Sequence, residues 1–317
     1  MRFISASEVR LGLSYQVCIP IVREAMIAFS AGQTRQLLRS VIPLDQGRMF
    51  GVMPGALGGD APFGAKLVSV FPDNVARGGQ SHQGLIVLFD AVSGRPQGLV
   101  DAGEVTAIRT AAASAVATDA LARPDSKVLA ILGTGEQART HAEALRLVRP
   151  FTEIVLWGRR REAAEALAQA LSKTLSARVR VADSVEAAVA DADVVCTVSG
   201  AREPILMGRW LAPGTHVNLV GSSVAGPSEV DHDLVVRARF IADSREGVLA
   251  QGAEFLRAKA AGLVDDAHVV GEIGQVLSGD LEGRQSNDQL TVYKSLGHVV
   301  QDLAAAKALC DGLERLG

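Results

Sequence analysis

The chain has 317 residues, a net charge of −3 and 48% hydrophobic residues, which is enough for two domains with separate cores. The near-neutral charge gives no electrostatic footprint for a nucleic-acid partner, and no apolar run approaches the roughly 20 residues of a membrane helix. The N-terminus has no apolar signal core, the cysteines are far apart, and the histidines lack metal-ligand spacing. We therefore expect a cytoplasmic protein with no disulfide, no metal site and no membrane or nucleic-acid partner.

The N-terminal third is predicted to have mixed α/β structure. Its first element is an amphipathic helix with Val22 and Met26 on the apolar face and a stop at Gly32. Four β-like runs follow between turn-forming residues: LLRSVIPL, RMFGVMP, FGAKLVSVF and GLIVLFD. An alanine-rich helix then extends between Glu104 and Ala122.

From Lys127 onward, strands and helices alternate. The run KVLAILG is continuously apolar, as expected for a strand of a parallel sheet that is covered on both faces. Further strands are predicted at EIVLW, RVRVA, ADVVCTV, THVNLVG and ARFIAD. This pattern indicates an α/β Rossmann domain, a doubly wound parallel sheet, over residues 116–296. The stretch SLGHVVQDLAAAKALCDGL is predicted to form one long helix whose apolar stripe completes the mixed α/β domain of residues 1–115 and 297–317.

A glycine turn follows the first strand of the Rossmann domain. Gly133 permits the tight turn, Gly135 lets backbone amides approach a pyrophosphate, and Ala138 allows close helix–strand packing. The helix N-terminus adds partial positive charge and unpaired N–H groups. A plain strand–helix turn is the alternative, but the strand before and the helix after favour a dinucleotide site.

The sequence WGRRRE stands at the end of the next strand, beside the expected adenosine ribose. Cofactors with a free 2′-hydroxyl favour an acid there, whereas a 2′-phosphate favours arginine. We therefore predict NADP(H), with Arg159 and Arg160 as first candidates for the phosphate, and NAD(H) as the alternative cofactor. A solvated helix start is the structural alternative, but cations at a helix N-terminus oppose its dipole.

Three cations of the N-terminal domain stand among apolar residues. Strand alternation places Lys66 on the face of two valines, Arg39 lies within LLRSVIPL, and Arg109 is the one charge in TAIRTAAASAVA. A buried cation needs an anion, which is either a protein carboxylate or a ligand. Three such cations together favour the carboxylate of a small substrate. His82, expected in the loop before GLIVLFD, is a candidate proton donor or cofactor ligand, although a structural hydrogen bond is the commoner role.

Taken together, these stretches resemble the ornithine cyclodeaminase/mu-crystallin family. The likeness covers nearly the whole chain and depends on LLRSVIPL, GVMPG, AKLVSVFPDN, SHQGLIVLFD, TAIRTAAASA, ILGTGEQA, EPIL, NLVGSS and YKSLGHVVQDLAAAK, in this order. The resemblance implies a homodimer whose subunits contain a mixed α/β substrate and dimerisation domain and a Rossmann domain. It also implies a nicotinamide cofactor beside a small amino-acid-like ligand.

The resemblance further implies roles for individual residues. Arg39, Lys66 and Arg109 match the groups that hold the substrate carboxylate. Matches to cofactor contacts are Ser81, His82, Arg109, Gly133, Thr134, Gly135, Glu136, Gln137, Gly158, Arg159, Arg160, Thr197, Val198, Val220, Ser222 and Ser295. Lys66, Arg109 and Ser223 are the candidate catalytic residues. The proton for the reaction comes from Lys66, from Ser223, from water or with the substrate.

Two positions differ from the cyclodeaminases, which resemble this chain but carry an acid at the position of Ser223 and another near Gly51. A serine has neither the charge nor the pKa to replace a carboxylate base. Serine at this place is similar to the mu-crystallin branch, which is associated with ketimine reduction. We hypothesise NAD(P)H-dependent reduction of Δ1-pyrroline-2-carboxylate or Δ1-piperideine-2-carboxylate. The alternatives are an ornithine cyclodeaminase or alanine dehydrogenase-like enzyme, and an NADPH-dependent small-ligand binding protein.

Overall fold

The computed structural model describes residues 2–79 and 81–314. The chain divides into two compact units: unit 1 is Met1–Arg109 with His298–Gly317, and unit 2 is Thr110–Gly297. The sequence predicts these divisions after residues 115 and 296. Because one continuous helix, Ala102–Leu121, contains the first division, no break in regular structure marks its position.

The elements are numbered in chain order. The helices are α1 (Ala6–Gly12), α2 (Tyr15–Ser30), α3 (Ala102–Leu121), α4 (Glu136–Leu145), α5 (Arg161–Ser172), α6 (Val185–Val189), α7 (His232–Arg237), α8 (Arg245–Gln251), α9 (Ala253–Ala260), α10 (Ile273–Ser278) and α11 (Val299–Glu314). The first seven strands are β1 (Arg2–Ile4), β2 (Arg35–Gln36), β3 (Ser40–Pro43), β4 (Met49–Ala56), β5 (Phe63–Val70), β6 (His82–Phe89) and β7 (Pro96–Asp101). The next eight are β8 (Val128–Leu132), β9 (Glu153–Trp157), β10 (Arg178–Val181), β11 (Val194–Thr197), β12 (His216–Leu219), β13 (Arg239–Ala242), β14 (Val269–Glu272) and β15 (Thr291–Lys294).

Unit 1 is built on a sheet with the order β1-β7-β6-β5-β4-β2, to which β3 adds by pairing with β4. Helix α11 packs on β4, β5 and β6 and on α2. Two glycines let it come close: a Cβ at Gly55 would lie 2.7 Å from Val299 Cγ1, and one at Gly98 would lie 2.9 Å from Cys310 Sγ. The predicted return of the C-terminal helix to this domain is confirmed. It begins at Val299 rather than Ser295.

Unit 2 is built on an eight-stranded sheet with the order β10-β9-β8-β11-β12-β15-β13-β14. Every pair in it is parallel. The apolar strands β8 and β11 are buried along almost their whole length, as expected when helices cover both faces. The predicted α/β fold with a doubly wound parallel sheet is confirmed.

Several short elements escaped prediction. Strand β15, with the sequence TVYK, lies between β12 and β13 in the centre of the second sheet, yet it has only four residues and no apolar run. Strand β7 contains proline and glycine, which usually indicate a turn. The run LLRSVIPL is not one strand, because β2 ends at Gln36 and β3 begins at Ser40.

Within residues 2–79 and 81–314, no single helix is long and apolar enough to cross a membrane. Helices α1 and α2, which meet at 88°, reach the necessary length and apolar composition only as a bent pair. No group of three or more His, Cys, Asp or Glu side chains in this part of the chain could hold a metal ion. Cys18, Cys196 and Cys310 are buried and take part in no disulfide among the described residues.

Candidate active site

Unit 1 contains a buried ionic cluster of Lys66 from β5, Arg109 from α3 and Asp302 from α11. Lys66 Nζ lies 3.1 Å from Asp302 Oδ1, and Arg109 Nε lies 2.9 Å from the same oxygen. All three residues are at most 3% exposed. The favoured expectation, a substrate carboxylate as the partner of these cations, is corrected in part, because the alternative of a protein carboxylate is met by Asp302, which contacts both Lys66 and Arg109. Two cations nevertheless share one carboxylate, so the three groups carry one net positive charge.

The other polar contacts leave part of each cation open to a ligand. Lys66 also donates to Thr106 Oγ1 at 2.6 Å, and Arg109 Nη1 donates to Gln301 Oε1 at 2.7 Å. A lysine has three N–H donors and an arginine has five. Among the described residues, the third donor of Lys66 and the Nη2 group of Arg109 have no acceptor. A carboxylate that accepts from both would supply the second negative charge.

Burial and neighbouring charges set the protonation of this cluster. Burial lowers the pKa of Lys66 to about 8, the carboxylate of Asp302 opposes this shift, and Arg109 adds to it. Burial alone would raise the pKa of Asp302, but the charges of Arg109 and Lys66 outweigh it and lower the pKa. Lys66 is therefore protonated near neutral pH while the carboxylate of Asp302 is ionised, and an added anion would raise the pKa of Lys66.

Arg39 lies at the margin of the cluster. Its charge lowers the pKa of Lys66. Arg39 is partly exposed, and its neighbours Leu37 and Val41 are 73% and 37% exposed. The prediction that apolar residues enclose Arg39 is therefore wrong for the single chain.

His82 begins β6 rather than lying in the preceding loop. Its Nδ1 is 2.9 Å from Ser81 Oγ. Desolvation lowers the pKa of His82, and the charges of Lys66, Arg39 and Arg109 lower it further. His82 is therefore neutral near pH 7 and available as a hydrogen-bond partner.

In unit 2, the turn between β8 and α4 has the features that a pyrophosphate needs. Gly133 has a φ of +149°, and a Cβ there would lie 2.6 Å from Val198 O, so only glycine fits. Gly135 is the N-cap of α4, and the space where its Cβ would stand is open. A Cβ at Gly158 would lie 2.3 Å from Thr134 Cγ2, so β9 and the turn also approach closely. These residues fit a dinucleotide.

The three arginines after β9 differ in their contacts. Arg161, the first residue of α5, pairs with Glu165 at 2.7 Å and with Asp183. Arg159 and Arg160 are exposed and form no ion pair with any described residue. Two of the three guanidinium groups are thus available for a ligand.

The remaining predicted cofactor contacts lie in the first turn of α4 or at and just after the carboxyl ends of parallel strands: Glu136, Gln137, Thr197, Val198, Val220, Ser222 and Ser295. Carboxyl ends of parallel strands share one edge of a sheet, where open α/β sheets bind dinucleotides. The structure therefore brings these residues of unit 2 together. Ser222 Oγ donates to Pro227 O at 2.6 Å, which fixes the shape of its own loop. Ser223, in the same loop, is partly buried.

Sequence reasoning missed the buried charged groups that support both regions. Asp302 had a signal, because it is the one acid in the apolar stretch GHVVQDLAAA of α11. Lys294 Nζ, which lies 2.7 Å from Glu254 Oε2 and donates to Ser222 O at 2.6 Å, had none. Glu229, in the loop segment GPSEVD, had no recognisable signal in the sequence either.

Comparison with known proteins matches almost the full length of the chain. Residues 2–315 match the model described as the ornithine cyclodeaminase/mu-crystallin family. The chain belongs to this family. The resemblance predicted from the sequence is confirmed.

Three similar proteins are named as reductases of ketimines or of Delta(1)-pyrroline-2-carboxylate. The chain is 39% identical over 314 residues to ketimine reductase mu-crystallin of Mus musculus, covering 98% of this chain and 96% of that one. It is 33% identical over 311 residues to Delta(1)-pyrroline-2-carboxylate reductase of Bacillus cereus, covering 98% and 95%. A solved structure of Delta(1)-pyrroline-2-carboxylate reductase of Thermococcus litoralis, in complex with NADH and L-proline, has a TM-score of 0.96 at 31% identity, covering 99% and 98%.

The pKa of Lys66 predicts a pH limit on carboxylate binding. If the ligand binds protonated Lys66, its affinity is constant from about pH 6, where the ligand carboxyl group is ionised, to about pH 8 and falls about tenfold per pH unit above that, because a proton must then be taken up with the ligand. The measurement is the dissociation constant of cyclopentanecarboxylate, which has no titratable nitrogen, by calorimetry with NADH present. Lys66→Arg keeps its charge and should show no such rise. A wild-type dissociation constant that stays level to about pH 10, near the ordinary pKa of lysine, would contradict the assignment.

Proposed function

We propose that this chain is an NAD(P)H-dependent reductase of a small cyclic ketimine carboxylate, Δ1-pyrroline-2-carboxylate or Δ1-piperideine-2-carboxylate. The product is the cyclic amino acid. The observation that carries the proposal is the pair of buried cations, Lys66 and Arg109, which share one carboxylate and each keep an open donor. The ketimine and Δ1-pyrroline-2-carboxylate reductases among the relatives support the substrate class. The NADH and L-proline in the Thermococcus litoralis complex support the cofactor class and the product.

In this proposal Lys66, Arg109 and Arg39 bind and orient the substrate. One substrate oxygen accepts from Nη2 of Arg109 and the other from the third donor of Lys66. Arg39 adds charge at the margin of the cluster. Fixing the carboxylate also fixes the adjacent C=N carbon, and such positioning supplies most of the acceleration because a protonated imine accepts hydride readily.

The residues of the glycine turn and of the strand ends in unit 2 would hold the cofactor, which when bound supplies a hydride to the imine carbon. The imine nitrogen needs one proton. It arrives with the substrate or comes from Lys66, Ser223 or water. With a pKa of about 8, Lys66 is close to the range in which a group can donate a proton near neutral pH.

Ser223 favours reduction over cyclodeamination. Deprotonating a substrate amine needs a base, and a serine hydroxyl is not ionised near neutral pH. An ornithine cyclodeaminase, an alanine dehydrogenase-like enzyme and a small-ligand binding protein are the other outcomes that the assay below distinguishes.

The proposal includes NADP(H) as the preferred cofactor. Arg159 and Arg160 are exposed, follow the strand beside the expected ribose, and form no ion pair with a described residue. A 2′-phosphate is the natural acceptor for such guanidinium groups. Arg161 differs because Glu165 and Asp183 already bind it.

We further propose a homodimer formed through the apolar surface of residues 37–44. Its exposed members are Leu37, Leu38, Val41, Ile42 and Leu44. Strand β3 in this segment is exposed throughout, and β4 is its one partner among the described strands. Monomeric proteins rarely expose such contiguous apolar surface, and a second copy would also enclose Arg39. The three buried cysteines, which form no disulfide among the described residues, support a cytoplasmic location, where thiols stay reduced.

Wild-type protein should oxidise NAD(P)H with five- or six-membered cyclic ketimine carboxylates, and Arg109→Gln should lower kcat/KM by about a hundredfold, because hydrogen bonds to charged groups contribute about 1.5–3 kcal/mol each. The measurement is the absorbance of the reduced nicotinamide, with pyruvate plus ammonia and ornithine as competing substrates.

The matched control is Arg10→Gln. Arg10 lies in α1, its side chain is 57% exposed, and it pairs with Glu104, which lies on α3 as Arg109 does. It should keep wild-type kinetics. Ammonia release from ornithine without net oxidation of NADH would identify a cyclodeaminase. Tight ligand binding without turnover of any ketimine would identify a binding protein.

For the cofactor, Arg159→Gln with Arg160→Gln should weaken NADPH binding tenfold or more and leave NADH binding within about twofold, since only NADPH carries the 2′-phosphate. Fluorescence titration of both dinucleotides measures the effect. Arg161→Gln is the control and should change neither. An unchanged ratio of the two affinities in the double variant would refute the assignment.

For the assembly, Leu37→Asp with Ile42→Asp should convert a dimer to a monomer, because each subunit would bury two charges without partners. Light scattering after size-exclusion chromatography gives the mass. Leu263→Asp, at a residue 51% exposed in unit 2, is the control and should stay dimeric. A monomeric wild-type protein would exclude the proposed interface.

A further inference from the structure

Glu229 is a fully buried acid in unit 2 at the edge where β11 and β12 end. It precedes α7, and its backbone carbonyl accepts the N–H groups of Ile205 and Leu206. None of the sequence motifs includes it. Its side chain points to the loops after the two strands, as its hydrogen bonds show.

Both oxygens of Glu229 accept two hydrogen bonds. Oε1 accepts from the backbone N–H and the hydroxyl of Ser199, each at 2.7 Å. Oε2 accepts from Thr197 Oγ1 at 2.7 Å and from the N–H of Gly221 at 2.8 Å. Thr197 ends β11 and Ser199 follows it, whereas Gly221 follows β12, so one carboxylate ties the ends of the two strands and their loops together.

These loops contain the residues assigned above to the cofactor. The first carries Thr197 and Val198, and the second carries Val220 and Ser222. The two loops are in close contact, because a Cβ at Gly221 would lie 2.3 Å from Ser199 O and 2.5 Å from Glu229 Oε1. A shift of either loop therefore moves the other.

The constraint extends to the pyrophosphate turn. Val198, between the two donors Thr197 and Ser199, places its carbonyl oxygen against Gly133, where a Cβ would be only 2.6 Å away. Glu229 thus fixes a loop whose backbone packs directly against the glycine turn.

A buried carboxylate is a costly way to fill space, since isolated ions lose several kcal/mol on burial. Burial raises the pKa of Glu229, while its four hydrogen-bond donors and the charge of Lys294 oppose that shift. An apolar side chain would pack without that cost but could not orient four donors. The arrangement serves loop geometry rather than core packing.

We propose that Glu229 is a positioning residue for the dinucleotide: it holds the loops after β11 and β12 in the conformation that receives the cofactor. The inference rests on the proposed function, since it presumes a dinucleotide in unit 2. It adds a residue that contacts neither cofactor nor substrate.

The test is Glu229→Gln. The amide keeps the size of the side chain but turns an NH2 group toward two of the four donors. We expect NADH and NADPH to bind at least tenfold more weakly by fluorescence titration, and the KM for the dinucleotide to rise equally. At saturating dinucleotide, kcat and the KM for the ketimine should stay within about threefold of wild type, because the substrate cations of unit 1 are untouched.

Asp193→Asn is the matched control. Asp193 directly precedes β11, at the opposite end of the strand, and accepts the backbone N–H groups of Lys127 and Val128 at 2.7 and 3.0 Å. It should lower the melting temperature as Glu229→Gln does, yet leave dinucleotide affinity within twofold of wild type.

The outcomes separate the two proposals. Equal dinucleotide affinity of Glu229→Gln and wild type would overturn the positioning role, and so would an equal loss of affinity in both variants. Wild-type protein that binds neither dinucleotide would overturn the proposed function first. Should Glu229→Gln not fold, Ser199→Ala removes one of the four donors and should weaken binding about threefold; unchanged binding would again overturn the role.

Discussion

The contact on which unit 1 depends is the carboxylate of Asp302 between Lys66 and Arg109. It joins a strand, a helix and the C-terminal helix across 236 and 193 positions of sequence. Because removing one partner of a buried ion pair leaves an uncompensated charge, α11 cannot leave the sheet without a large loss of stability. The same contact orients both cations, so the geometry of the proposed anion site depends on the packing of α11.

Unit 2 uses buried charge in a related way, at the ends of parallel strands rather than across a core. Glu229 binds the loops after β11 and β12, and Lys294, paired with Glu254, binds the carbonyl of Ser222. Asp243, after β13, accepts the N–H groups of the loop after β15, and burial raises its pKa to about 6. These loops have too few apolar residues to be held by packing, so buried charged side chains hold them, as acceptors in Glu229 and Asp243 and as a donor in Lys294.

What the sequence could predict was local. The apolar run of β8 and the turn at Gly133 and Gly135 depend on neighbouring residues, and both are observed. Strand β15 could not be found, because TVYK becomes a strand only when β12 and β13 lie on either side of it. Arg39 illustrates the other limit: its apolar neighbours are exposed in one chain, and no local pattern specifies what covers them.

The energetics also bear on whether the cluster of Lys66, Arg109 and Asp302 is structural or functional. Replacing a buried ion pair by apolar residues of similar volume is often neutral or stabilising, so stability alone does not account for three buried ions. A purely structural set would also be expected to balance its charges, whereas this one has two cations for one anion and an open donor on each cation. Such an imbalance costs stability in the free protein and is removed when an anion binds. That difference is what a binding site requires, and it favours the proposed role.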